Sequence, residues 1–107
     1  MTTGLPPAPS PRRALAQRLS ANPRDAAAWA ELSRLERRRG DLRTARLCAE
    51  AAVSLAPEDP AARLARAEVL LRFAEGTQRG RHDLAELSAS AGPLARRAAA
   101  LLRALGG

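Results

Sequence analysis

Residues 22–60 read NPRDAAAWAELSRLERRRGDLRTARLCAEAAVSLAPEDP, and the stretch begins and ends on nearly the same words: Asn22-Pro23-Arg24-Asp25, then Pro57-Glu58-Asp59-Pro60. Matching turn signals at a fixed interval, here Pro23 to Pro57, mark a repeated supersecondary unit. Between them, Asp25 caps a helix whose apolar residues Ala28, Trp29, Leu32 and Leu35 share one face. Gly40 stops that helix and Asp41 caps the next, in which Leu42, Ala45, Ala49, Ala52 and Leu55 turn inward until Pro57 ends it.

The same punctuation extends outward. Ser10-Pro11 combines an N-cap with a first-turn proline and opens a short helix carrying Ala14, Leu15 and Leu19. Asp59-Pro60 repeats that device before Leu64, Ala67, Leu70, Leu71 and Ala74. The stretch EGTQRGRHD, residues 75–83, holds two glycines among polar residues and reads as a loop. Asp83-Leu84-Ala85-Glu86 then has capping-box form for a short helix. Gly92-Pro93 breaks it, and residues 94–105 make a last helix. Residues 1–10, rich in Pro, Ser, Thr and Gly, read as a disordered tail. The expected architecture is a single all-α domain over 11–105, with no strand.

Composition agrees. Alanine and leucine dominate, the aromatics are Trp29 and Phe73, and tyrosine is absent, which favours helix over strand. All 18 basic residues are arginine, and the net charge is +7. The surplus is uneven: residues 1–46 hold ten arginines against four acids, residues 47–107 eight against seven. Codon bias in a GC-rich genome explains the arginine enrichment at least as well as selection does, while the unevenness of the surplus needs a reading of its own. No window has the length and apolarity of a signal peptide or membrane span, so a soluble cytoplasmic protein is expected.

The residues of the opening stretch resemble the tetratricopeptide repeat, a helix-turn-helix unit of about 34 residues. Trp29, Leu32, Ser33, the Gly40-Asp41 turn, Ala45, Ala52 and Pro57 stand where that pattern wants them, while Glu36 and Ala49 replace its two aromatics. The resemblance implies a clear unit over 26–59 and a degenerate one over 60–91, in which Ala67 follows Ser33 by one full period and Leu64 stands in for an apolar residue missing at Arg63. Together they imply a short α-α superhelix closed by C-terminal capping helices. The phrases LAQRLSANPRDAAAWAEL and AEVLLRFAEGTQRG also resemble the repeat domain of cytochrome c maturation assembly factors, which are membrane-anchored periplasmic chaperones; this chain shows no anchor.

In that family the first helix of each unit lines a concave groove that holds a partner peptide. Carried over, the groove positions are Ala27, Ala30, Glu31, Arg34, Arg37 and Arg38, then Ala61, Leu64, Ala65, Glu68, Leu71 and Arg72. Arg34, Arg37 and Arg38 share a helix face, and guanidinium forks suit carboxylates or phosphates. A non-catalytic module holding a protein or peptide, acidic in the sharpest form of the reading, is the implied function. The family's carboxylate clamp for chaperone tails needs Lys and Asn where Ala30 and Arg34 stand, so that ligand is not expected. With few repeat units, either residues 83–105 cap the solenoid or the chain forms homo-oligomers.

Other chemistries find little support. His82 is the single histidine and Cys48 the single cysteine; neither has the companions of a catalytic dyad or of a metal site. No cofactor, metal or catalytic activity is expected, and the glycines of EGTQRG fit no phosphate loop. The alternative class is nucleic-acid binding, through the basic surface or through a helix-turn-helix-like segment at DLAELSASAGPLARRAAALLRAL with Arg96 and Arg97 at its second helix. That segment has no Asn or Gln to read adenine and no aromatic to stack on a base.

Overall fold

The computed structural model describes residues 9–106; the expected tail lies outside these, apart from Pro9 and Ser10 just ahead of the first helix. The described residues form six α-helices in order: α1 (Pro11–Ala21), α2 (Ala26–Arg39), α3 (Leu42–Leu55), α4 (Pro60–Leu70), α5 (Thr77–Ser88) and α6 (Pro93–Ala104), with a short 3-10 turn at Ala74–Gly76. They contain no strand. The helices are joined as antiparallel hairpins, α2 with α3 and α4 with α5, and α2, α4 and α6 lie side by side.

The caps are those the sequence advertises. Ser10 Oγ accepts the Arg13 N–H at 3.2 Å, Asp25 that of Ala28 at 3.0 Å, and Asp41 that of Thr44 at 3.1 Å. Gly40 takes φ +91°, and the N–H groups of Gly40 and Asp41 close back on Arg37 and Glu36 at 3.1 and 3.0 Å. This is a Schellman turn, which needs a left-handed residue that only glycine adopts without strain.

Two of these caps give the protein an acid-sensitive component. The Asp25 carboxyl lies below its ordinary value chiefly because it accepts the Ala28 N–H, and the Asp41 carboxyl chiefly through its hydrogen bonds to Thr44. A carboxylate depressed in the folded state contributes stability above its unfolded value, about pH 3.9, and loses it as pH falls through the folded one. Melting temperature should therefore decline below about pH 4. The Asp25→Asn, Asp41→Asn double variant keeps good neutral caps and should show a shallower decline in circular-dichroism melts.

The units are held by close crossings. Ser33 and Ala45 are fully buried, and Ser33 Oγ donates to the Ala45 carbonyl at 2.8 Å. Trp29 is half-buried rather than enclosed: it packs between the α1–α2 cluster of Leu15, Leu19 and Ala28 and the Ala30–Ala52–Ala62–Ala65 cluster, and its indole N–H donates to the Pro23 carbonyl at 2.8 Å. Leu64 is fully buried with Ala67, Leu84, Leu87 and Ala98, so it supplies the apolar contact that Arg63 cannot. Arg63 points outward to Glu86.

Residues 75–83 depart from the expectation of a loop. Helix α4 ends at Leu70, earlier than its periodicity suggests, and α5 already begins at Thr77. The glycines are there for proximity: a Cβ on Gly80 would lie 3.1 Å from the Ala67 carbonyl oxygen, and one on Gly76 2.6 Å from that of Leu70. Ala67 and Gly80 thus form the second unit's crossing, as Ser33 and Ala45 form the first's. Asp83 is accordingly no N-cap. It lies within α5, 2% exposed, and accepts from Arg66 Nη2 at 3.1 Å.

Candidate functional site

The first helices of the hairpins carry the residues that the resemblance singled out, and the fold sorts them into three groups. Ala30, Leu64 and Ala65 are taken up by core packing, and Leu71 packs against the α4–α5–α6 core. Ala27, Glu31, Arg38 and Arg72 are exposed, and Ala61 is half-buried. Arg34, Arg37 and Glu68 converge.

That convergence is the electrostatic centre of this face. Glu68 sits on the middle helix with its side chain only 5% exposed. From α2, Arg34 Nε and Arg37 Nη2 approach it at 4.0 and 3.8 Å, and from α6 Arg97 Nη2 reaches Glu68 Oε2 at 2.9 Å. Arg34 and Glu68 occupy the same place in consecutive units, one repeat period apart. One carboxylate therefore joins three helices and leaves two guanidinium charges uncompensated. Glu68 Oε1 and Arg37 Nε are buried without a hydrogen-bond partner among the described residues, so the cluster retains unused hydrogen-bonding capacity.

Arg38 and Arg72 extend this positive field. They too are related by the repeat period, both are exposed, and neither has an acidic group within 4.0 Å among the described residues. Glu31, Arg34 and Arg38 also line a cleft of about 210 Å³ with Pro11, Leu15 and Leu35, so α1 forms one wall of the site. That wall is fixed from the other side of α2, where buried Glu36 forms an ion pair with Arg12 of α1 at 3.3 Å and accepts from Arg39 at 2.7 Å. The carboxylate that replaces an aromatic of the repeat is thus a cross-helix tie.

Sequence reasoning left Arg97 out of the groove and named it only in the alternative, nucleic-acid-binding reading. Three-dimensional adjacency of α4 and α6 turns Arg97 onto Glu68, while Arg96 faces solvent. Linear spacing carries no signal for that contact. Arg81 donates to the Leu105 carbonyl at 3.1 Å and satisfies a group at the C-terminal end of α6, which secures the capping helix. His82, expected in a loop, is helical and exposed, with Nε2 3.5 Å from Glu86. Burial pushes the Cys48 thiol up to about 11, with Glu36 and Asp41 adding to the effect. Such a thiol is not a nucleophile at neutral pH.

No group of three or more metal-ligating side chains occurs among the described residues, and no helix among them is long and apolar enough to cross a membrane. Neither a curated protein nor a solved structure matches the chain. Residues 26–69, spanning α2, α3 and nearly all of α4, match the family model of the tetratricopeptide repeat. With the repeat period, the paired helical hairpins and the small-residue crossings, that match supports a tetratricopeptide-repeat-like fold for this region; such repeats generally mediate protein–protein interaction.

Proposed function

We propose that the protein is a non-catalytic interaction module that holds an acidic segment of a partner protein against the face shared by α2, α4 and α6. The observation that carries this reading is the excess of guanidinium around Glu68: three arginines on one buried carboxylate, flanked by the exposed, repeat-related pair Arg38 and Arg72. A carboxylate arriving there meets donors already positioned by Glu68, so little side-chain ordering remains to oppose binding.

Arg34 and Arg37 are poor positions for a test, because reversing their charge would set an acid beside Glu68. Arg38 and Arg72 are clean. The probe is a fluorescein-labelled oligoglutamate peptide followed by anisotropy with the full chain. Arg38→Glu with Arg72→Glu should weaken binding by at least about tenfold, one charge-assisted contact corresponding to roughly 1.5–3 kcal/mol. Unchanged affinity in the double variant would overturn the reading. So would a DNA duplex that displaces the peptide at physiological salt and loses affinity with Arg96→Ala, an outcome that assigns the basic surface to nucleic acid.

A further inference from the structure

Helix α3 presents a stripe that neither the core nor the α2–α4–α6 face uses. Leu47 is the one large apolar side chain left exposed among the described residues, at 66%. It lines a cleft of about 400 Å³ with Arg43, Arg46, Glu50 and Phe73. Arg46 is engaged within the molecule: its guanidinium stands 5.0 Å from the centre of the Phe73 ring and 3.5 Å from Glu75. Arg43 has no acidic group within 4.0 Å among the described residues, and Glu50 touches only Arg66, at 3.9 Å, whose main partner is Asp83. Arg43, Leu47 and Glu50 stand at i, i+4 and i+7, hence on one face, and read cation, apolar, anion along about 10 Å of helix.

We propose that this stripe is a homodimer contact, in which α3 of two copies packs antiparallel across a two-fold axis beside Leu47. Reversing direction sets cation-apolar-anion against anion-apolar-cation. Arg43 of each copy then lies level with Glu50 of the other to within about one residue's rise, with the two Leu47 side chains between them and the Phe73 rings at the rim. An isologous contact requires this self-complementarity. Charge selects a second copy over other occupants: an acidic segment would meet Glu50 and Glu75, and a basic one Arg43 and Arg46. Elsewhere the net charge of +7 makes two copies repel, so association needs a place where both signs are present. The contact is small, and the dimer it supports is weak and concentration-dependent. It lies on α3 and stands independently of the acidic-partner reading.

Sedimentation velocity of the full chain over a concentration series tests it, with circular-dichroism melts as the check on folding; Arg43, Leu47 and Glu50 are exposed, so their variants should melt as the parent does. Leu47→Glu should raise the dimer dissociation constant at least tenfold. Arg43→Glu and Glu50→Arg should each do the same, one leaving two acids on the stripe and the other two arginines. Combined in one chain they should restore dimerisation, and the two single variants mixed should associate with each other more tightly than either does with itself. A chain monomeric to about 1 mM, a dimer indifferent to Leu47→Glu, or a charge swap that fails to rescue would overturn the proposal.

Discussion

Ala45→Arg should leave the protein largely unfolded at room temperature. Ala45 is fully buried against Ser33, whose hydroxyl is bonded to the Ala45 carbonyl, so a guanidinium there would have to be forced into a close helix crossing. Burying an unpaired charge costs more than the stability of a domain this size, about 5–15 kcal/mol, comfortably tolerates. Ala45→Leu isolates the steric part, with an expected loss of about 1–3 kcal/mol. Gly80→Val probes the second crossing. In a solvent-exposed loop it would be nearly silent; against the Ala67 carbonyl 3.1 Å away it should cost about 1–3 kcal/mol. Urea denaturation of the three variants measures this, and a Gly80→Val midpoint equal to the parent's would show that α4 and α5 do not cross there.

Asp83→Asn separates two descriptions of the same residue. At an N-cap Asn replaces Asp with almost no loss. Within α5, Asp83 is the buried counter-charge of Arg66, itself only 13% exposed, with Arg79 at 3.8 Å on the other oxygen. Removing one member of a buried pair strands the other and costs about 3–5 kcal/mol; Glu50, 3.9 Å from Arg66, should hold the loss near the lower end. The Asp83→Asn, Arg66→Met double variant should recover much of it, since an apolar side chain of similar length restores packing without a stranded charge. A Tm for Asp83→Asn within a degree or so of the parent would return the residue to the surface.

Both effects bear on the arginine cluster. The α4–α5 crossing and the Asp83–Arg66 pair hold α5 in place, α5 supports α6, and α6 delivers Arg97 to Glu68. Damage in the second hairpin should therefore reach the arginine cluster without touching a residue of it. The acids that remain visible in the sequence as a balance against arginine are mostly committed: Glu36, Glu68 and Asp83 are buried in ion pairs, and Asp25, Asp41 and Asp59 cap helices. The +7 surplus accordingly falls on the surface, where Arg38 and Arg72 stand exposed.

The sequence by itself determined the helical class, the four helix starts from Ser10 to Asp59 and the Gly40 turn, because each of these is set by interactions within a few residues: a cap oxygen on a nearby N–H, a left-handed glycine, an apolar face at helical spacing. Only the tertiary structure decided the second unit. Gly76 and Gly80 are turn residues by local rule, and become helix-crossing residues because α4 approaches to within contact; Asp83 is a cap by local rule, and becomes a buried anion because Arg66 lies across from it. The site divides the same way. The repeat period placed Arg34, Arg38, Glu68 and Arg72 on equivalent positions of successive helices, but whether an arginine there is free or spent depends on a carboxylate carried by another helix, as for Arg97 and Arg34 with Glu68. Pairing of charges is a matter of distance in space, and the sequence orders residues only along the chain.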